Sequence, residues 1–551
     1  MSVEIEHDLP VQVRDGTILK VDVYRPAKSG SYPGLLLRTP YSKDTPQTIG
    51  YAHPIWYARH GFLVVVGDTR GRFKSEGSFF PLLHEAQDTL DTLNWMRKLP
   101  GVRPDRLGMY GYSYSGWTQL LTATSDDSRL SAIAPAFCSA GLYELFFTNG
   151  VLNLAFAQSW SLQVALMEAQ VSGDRSACAL LQEALADIPG IYSHLPVDEM
   201  TALRSTELSP FYFDALQHSE NSDPYWNPLR AKKEGLAQLN VPALHIGGWY
   251  DTFIDQSTEN FQMASAQPNQ HLLIGPWYHM PWAQQVGEID FGEDARNEID
   301  HIQREWFAHW LQNEPGLPAD LPRVRLFVMG RNSWQDEDAW PPSRSRPLTF
   351  FLHSAGLANS SNGDGTLKLE PPADEPEDIF AYDPNLPVPS VGGNSCCVPE
   401  FAPMGARDQR SIEMRNDVLV YTSEILTSPV EVIGEVWIRF FVATTAATTD
   451  FTAKLVDVYP DGRAINIVDS IFRVQPRTDQ ILEVSETIGV TAIVFQEGHR
   501  IRLEISSSNF PTYERSLNSV GARDQFDGQV ALQRVFHNSD RPSALVLPVI
   551  D

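Results

Sequence analysis

The sequence predicts an α/β protein in which a parallel sheet is interrupted by a helical insertion and followed by a separate all-β region. Three observations carry that prediction. Short uninterrupted apolar runs alternate with helical spacing in the first third. A stretch rich in Leu, Ala and Gln follows, from about 136 to 239. From about 322 onward, β-branched and aromatic runs are punctuated by Pro, Gly, Asn and Asp. At 551 residues the chain exceeds one ordinary core, so several structural units are expected.

The elements follow in order. Gly61 to Gly67 is a continuous apolar run between glycines, the pattern of a strand buried on both faces. Ala86, Leu90, Leu93 and Met96 fall at helical spacing, and Pro100 and Gly101 close that helix. Leu107 to Gly111 is the next buried strand, so strand, helix and strand make one crossover unit and a parallel sheet. Val241 to Gly247 and His271 to Gly275 repeat the buried-strand signature. Between them, Asn153 to Val171 and Ala177 to Ile188 read as helices, and an insertion placed there would lie over the carboxyl ends of the strands as a lid. Strands are then predicted at Arg323–Val328, Leu348–Leu352, Val418–Tyr421, Val430–Val442, Asp450–Tyr459 and Arg500–Ser506, the texture of a β-sandwich, with Ser354 to Glu377 as a long surface loop. The expected division is 1–135 with 240–320 for the sheet domain, 136–239 for the helical lid, and 321–551 for the β-sandwich. No internal repeat stands out.

Composition narrows the function classes. Hydrophobic residues at 42% and charged residues at 20% describe a folded globular chain. A formal charge of -27, from 42 Lys+Arg against 69 Asp+Glu, repels nucleic-acid backbones and anionic lipid surfaces, so neither partner is expected. The N-terminal segment Met1 to Pro10 carries acids where a signal peptide needs basic and then apolar residues, and a cytoplasmic protein is expected. The four cysteines, Cys138, Cys178, Cys396 and Cys397, fit no metal-ligand spacing, and neighbouring cysteines seldom bridge. Reduced thiols, and no metal or cofactor, are the expectation. A homo-oligomer is compatible with the sequence, which fixes no oligomeric state.

Chemistry concentrates where a buried strand meets a helix, at Tyr110-Gly-Tyr-Ser113-Tyr-Ser-Gly116. A serine on such a turn exposes its hydroxyl above the sheet, and small neighbours let the helix pass close to the strand. A serine hydroxyl needs a base, and the base needs an orienting carboxylate. Leu244 to Asp251 and Leu272 to His279 are strands running into Gly-Gly and Gly-Pro turns, which places Asp251 and His279 at strand carboxyl ends in the order Ser, acid, His of an α/β-hydrolase. Asp255, a helical turn beyond Asp251, is the rival orienter. His245, His84 and His271 read as structural, and Asp68 and Arg70 as a charged pair holding loops.

Arg38-Thr-Pro-Tyr41, Asp68-Thr-Arg-Gly71 with Ser75-Glu-Gly77, Gly111-Tyr-Ser-Tyr-Ser-Gly116, Gly248-Trp-Tyr-Asp251 and Gly275-Pro-Trp-Tyr-His279 together resemble the cocaine esterase/NonD family, relatives of X-Pro dipeptidyl-peptidases. Gly392 to Cys397, Asp408-Gln-Arg410, Asp457 to Ala464 and Gly498 to Arg502 resemble that family's C-terminal jelly roll. The resemblance implies a serine hydrolase acting on small-molecule esters or amides, with Ser113, His279 and Asp251 as its triad. It further implies an oxyanion hole made by the Tyr114 backbone N–H and the Tyr41 hydroxyl, and an acyl pocket using Phe253, Trp160 and Phe147. Read without it, Tyr41 is a buried aromatic, and Phe146, Phe147, Phe156 and Trp160 serve equally well as helix packing.

Ester hydrolysis through an acyl-enzyme is the leading expectation. X-Pro dipeptidyl-peptidase, α-amino-acid ester hydrolase and β-lactam acylase activities are the alternatives, and each must hold a substrate ammonium group or its equivalent. Glu144 is one candidate anion, with no cluster around it legible in the sequence. A binding protein with a vestigial hydrolase domain is the non-enzymatic alternative. A protonated imidazole cannot accept the serine proton, so activity is expected to fall as pH drops through about 6–7.

Overall fold

The structure, a computed structural model, describes residues 2–45, 50–125, 129–279, 282–313, 321–477, 480–521 and 527–550. Ten strands form the N-terminal sheet: β1 (Val3–Gln12), β2 (Ile18–Pro26), β3 (Tyr32–Thr39), β4 (Leu63–Asp68), β5 (Val102–Tyr112), β6 (Ala132–Ala136), β7 (Ala243–Tyr250), β8 (Gln270–Tyr278), β9 (Val324–Val328) and β10 (Ser333–Glu337). Their spatial order is β1-β2-β4-β3-β5-β6-β7-β8-β9-β10. Pairing is parallel from β4 through to β9 and antiparallel at both edges.

The parallel strands are buried on both faces, which is why they read as unbroken apolar runs: every residue of β4 and of β7 is buried. Helices Glu85–Met96 (α1) and Tyr114–Ala123 (α2) pack against this sheet. Between β6 and β7 lies a largely helical segment whose longest members are Leu154–Ser172 (α3) and Arg175–Ala186 (α4). The first turns of α3 are buried on all sides, so its apolar residues show no amphipathic stripe. Its N-terminal turn accepts no covering from solvent because the C-terminal region reaches over it, the Ala155 N–H donating to the Pro511 carbonyl at 3.0 Å.

The C-terminal region is all β. Twelve strands share one hydrogen-bonded network, antiparallel apart from the short pairing of Thr366–Lys368 with Leu419–Ser423, and the longest ladder joins Val430–Thr444 to Leu482–Phe495. Two sequence expectations need correction. The strand at Arg323–Val328 does not open the β-sandwich: Val324–Val328 extends the first sheet, parallel to β8. Its five apolar-rich residues suit either environment, and periodicity carries no partner information. The expected loop at Ser354–Glu377 contains the strand Thr366–Lys368, paired with Ser345–His353.

The turn from β5 into α2 depends on two glycines. A Cβ on Gly111, which sits at φ +135°, would lie 2.4 Å from the Ser115 Cβ, and one on Gly116 would lie 2.7 Å from Cys138 Sγ and 2.8 Å from the Ala136 carbonyl oxygen. The added methyl of Gly116→Ala has backbone on one side and a packed sulfur on the other. We expect it to destabilise the sheet domain by about 2–3 kcal/mol, read as a lower urea midpoint for that domain. An unchanged midpoint would show that α2 does not rest on β6 as closely as described.

Candidate active site

Ser113 occupies the tip of the β5–α2 turn with φ 57° and ψ -126°, a region that non-glycine residues avoid. The turn is held from three sides. The Ser113 N–H donates to the Ala136 carbonyl at 2.9 Å, and its carbonyl accepts from Gly116 and Trp117 at 2.8 and 3.1 Å. The Ser115 hydroxyl donates to the Arg38 carbonyl at 2.6 Å, tying the turn to β3. Arg38 in turn forms a buried ion pair with Glu85 at 3.0 Å. Ser115, the second of the two residues between Ser113 and Gly116 in the G-x-S-x-x-G spacing, thus anchors the elbow.

Three strand ends converge here. His279 Nε2 lies 3.1 Å from Ser113 Oγ, and His279 Nδ1 lies 2.7 Å from Asp251 Oδ1. Asp251 is fully buried and His279 is 4% exposed. Burial pushes the Asp251 carboxyl upward, and the His279 imidazole with the Thr252 and Phe253 backbone N–H groups opposes that rise. The imidazole sits in an aromatic collar of Tyr112, Phe137, Phe156 and Phe253, with ring centroids 5.5 to 6.3 Å away.

Tyr41 follows β3, and its ring oxygen accepts a hydrogen bond from Trp160 Nε1 at 3.0 Å. Burial raises the phenol to about 12, and Tyr41 lines the same cavity as Ser113. With one lone pair occupied by the indole, the phenol O–H is left to donate into the site. Arg72, 2% exposed, fastens this arrangement: its Nε donates to the Pro40 carbonyl and its Nη1 to the Val164 carbonyl on α3, at 3.0 and 3.2 Å. The Tyr114 N–H opens α2 immediately after Ser113, while its phenol is committed elsewhere, donating to Glu85 and accepting from the Leu82 N–H, both at 3.1 Å.

Above Ser113 and His279 is a cavity of about 180 Å³ whose walls include Leu37, Tyr41, Phe156, Trp160, Met167 and the pair Cys396 and Cys397. The other expected pocket residues are distributed differently. Phe253 is fully buried under the imidazole, 5.5 Å from its centroid, and supports the base without lining the cavity. Phe147 faces a second, larger cleft of about 440 Å³, walled by Glu144, Asp255, Glu259, Glu435 and Asp469. Phe156 borders both spaces. Glu144 therefore does have acidic company, contributed by segments more than a hundred residues apart in the chain, which is why the sequence did not display it. Burial raises Glu144 to about 7 and Asp255 to about 6. Asp255, placed in this cleft, does not take the orienting position beside His279.

Asp68 and Arg70 do not pair. Arg70 binds Asp88 and Asp15, each at 2.7 Å, while Asp68 accepts from the Lys43 and Lys74 N–H groups at 2.6 and 3.3 Å. Cys396 and Cys397 form a disulfide, against the expectation of reduced thiols. A second Ser/His/Asp constellation exists in the C-terminal region, where His537 Nε2 lies 3.3 Å from Ser354 Oγ and 2.8 Å from Asp378. It is unsuited to catalysis: His537 and Asp378 have no exposure, and serine and aspartate compete for the same ring nitrogen.

Comparison with known proteins gives a consistent picture. The X-Pro dipeptidyl-peptidase (S15 family) matches residues 15–281, and the X-Pro dipeptidyl-peptidase C-terminal non-catalytic domain matches residues 315–546. The chain is 37% identical to the cocaine esterase of Rhodococcus sp. (strain MB1 Bresler), covering 99% of this chain and 98% of the relative. Its fold is shared with an aminopeptidase from a marine sediment Thaumarchaeota archaeon, at TM-score 0.83 and 23% identity, covering 100% of this chain and 96% of that one. It is shared also with an α-amino acid ester hydrolase, at TM-score 0.80 and 22% identity over 99% and 96% of the two chains. Among the described residues no helix is long and apolar enough to cross a membrane.

Proposed function

Because the chain belongs to the cocaine esterase/NonD family of serine hydrolases, we propose that it cleaves carboxylic esters of small molecules through an acyl-enzyme formed on Ser113. Ser113 Oγ attacks the ester carbonyl as His279 Nε2 takes its proton, and Asp251 holds the imidazole by Nδ1 and stabilises it when charged. The carbonyl oxygen, becoming an alkoxide, receives the Tyr114 backbone N–H and the Tyr41 O–H. His279 then protonates the departing alcohol. Water, deprotonated by the same imidazole, releases the acid and restores Ser113. The single observation carrying this reading is the continuous hydrogen-bonded chain Asp251–His279–Ser113, at 2.7 and 3.1 Å, opening into an apolar cavity.

In this reading the helices within 136–239 form a lid through α3, which supplies Phe156, Trp160 and Met167, and the C-terminal jelly roll closes the cavity with Cys396 and Cys397. A cavity of about 150 Å³ holds a benzene ring. At about 180 Å³ the space beside Ser113 suits one aromatic ring or a short branched chain as acyl group. A fluorophosphonate probe tests the assignment. One equivalent of label on the Ser113 peptide, absent from Ser113→Ala, is the expected result. A protein that hydrolyses esters yet takes no label there would overturn it.

One observation favours a second reading, in which the acyl group carries an ammonium. Among the described residues, Phe156 is the one side chain that lines both the Ser113 cavity and the acidic cleft. We expect Phe156→Ala to raise kcat/KM for phenylglycyl esters relative to phenylacetyl esters by about tenfold, consistent with 1–3 kcal/mol for a charge-assisted contact. Glu144 and Asp255 are raised to about 7 and 6, and a carboxyl binds a cation only when deprotonated, so the preference should grow as pH rises from about 5.5 to 7, while the substrate's own α-ammonium is still charged. An unaltered ratio in Phe156→Ala at pH 7 would leave simple esters as the sole reading.

A further inference from the structure

Among the described residues, every wall of the catalytic cavity but one comes from the first 279 residues; the exception is the adjacent pair Cys396 and Cys397. They sit at the tip of a loop closed at its base by reciprocal backbone hydrogen bonds between Gly393 and Gly405, at 2.9 and 3.0 Å. The tip is therefore held in place while both cysteines line the same space as Ser113 and His279. Cys396 is 1% exposed, and Cys397 is half-buried and packs against the same core. The two remaining cysteines do not share this position: Cys138 is buried beneath Gly116, and Cys178 lies in the lid helix α4.

We infer that Cys396 and Cys397 are a redox modification site whose disulfide and dithiol states present two different walls to the acyl group. This rests on the Ser113 reading above. Joined, the two sulfurs are locked in one eight-membered ring and form a single rigid surface. Reduced, each side chain regains its own rotation and a thiol hydrogen, so the space they fill beside Phe156 and Trp160 changes. In an apolar pocket a difference of one methylene already changes discrimination by about 10–200-fold.

The couple that drives the exchange is a low-molecular-weight thiol and its disulfide. A thiolate attacks Sγ of Cys397, the more exposed sulfur; the Cys396–Cys397 bond breaks and its electron pair leaves on Cys396 Sγ. A second thiol then displaces Cys397 from the mixed disulfide. Two thiols are oxidised to one small disulfide, the protein gains two hydrogens, and the reverse sequence restores the ring. Both cysteines line the cavity beside Ser113, so substrate analogues bound there should slow the exchange.

The test uses the whole enzyme equilibrated in glutathione buffers from fully reduced to fully oxidised, with Cys178→Ser as background so that no other half-buried thiol reports. Peptide mass mapping follows the gain or loss of two hydrogens on the Cys396–Cys397 peptide while KM and kcat are measured for a small and a bulky aryl ester. We expect the KM ratio of the two esters to change by about tenfold between states, tracking the mass change, and to be independent of redox state in Cys396→Ser and Cys397→Ser. Phenylarsine oxide supplies a second measurement that needs no variant. It condenses with a dithiol, releasing water, and should inhibit only the reduced enzyme, with recovery on adding ethanedithiol. Identical KM ratios in two states that the mass data show to be distinct would overturn the inference, as would arsenical-insensitive activity in the reduced enzyme. Fluorophosphonate labelling of Ser113 in the same samples keeps the two readings apart, since lost labelling in both states indicts the catalytic assignment and unchanged labelling with an unchanged ratio indicts only the redox site.

Discussion

Ser113→Ala and His279→Ala should each lower kcat for an aryl ester by about 10⁴–10⁶, and the double variant should lose scarcely more than either single one. The reason lies in the geometry. Ser113 Oγ has a base at 3.1 Å, and removing either member ends proton transfer entirely. What remains is binding in the cavity and the two proposed oxyanion donors, which neither substitution touches. Asp251→Asn should cost somewhat less, about 10⁴, because the imidazole keeps its place but loses the partner that fixes its tautomer. Steady-state kinetics on all four variants decide the matter. Losses that multiply in the double variant would mean that Ser113 and His279 act independently, and the hydrogen-bonded chain would then be incidental.

Outside the triad, the largest effect is expected from Tyr41→Phe: a fall of about 10²–10³ in kcat, with KM moving less than about threefold. The substitution deletes one hydroxyl and leaves the ring packing intact. Burial that raises the phenol to about 12 keeps it protonated across the working range, and the 3.0 Å bond from Trp160 Nε1 occupies an acceptor site, so the O–H is left free to donate, as the proposed oxyanion role requires. Trp160→Phe should reproduce part of this loss, about tenfold, since it frees the phenol to reorient without removing it. If Tyr41→Phe raised KM and spared kcat, the hydroxyl would be a ground-state contact and the oxyanion would have to be held by the Tyr114 N–H alone.

Much of this site was legible before any coordinates. Asp251 and His279 end buried strands, and a buried parallel strand announces itself as an apolar run closed by a glycine turn, as Ala243–Tyr250 and Gln270–Tyr278 do. The edge hairpin was not legible. Val3–Gln12 is largely exposed, and its Glu, His and Asp residues blur the alternation that marks a strand. The acidic cleft was hidden for a different reason: Glu144, Asp255 and Asp469 come from the helical segment between β6 and β7, the segment after β7 and the C-terminal region, and only tertiary structure brings them together. The same holds for Cys396 and Cys397, whose adjacency was plain but whose place in the cavity wall was not. Phe156 and Phe253 exchanged roles relative to the expected pocket, because a helical pattern marks which residues are buried and not which space they border.

Helical texture also concealed how tightly α3 is bound. The Arg72 bonds to Pro40 and Val164 clamp the Tyr41 loop to α3, and neither carbonyl carries any side-chain signal in the sequence. Substrate entry is therefore expected to depend on side-chain movement at Phe156 and Met167 more than on displacement of the whole helix.

The most direct test of the acyl-enzyme is to quench the wild-type protein during turnover of a slowly deacylated aryl ester and map the adduct by peptide mass. The account predicts one acyl group, esterified to Ser113, that appears within a single turnover and decays at the rate of acid release. Turnover with no covalent adduct, or with the acyl group on another residue, would contradict it.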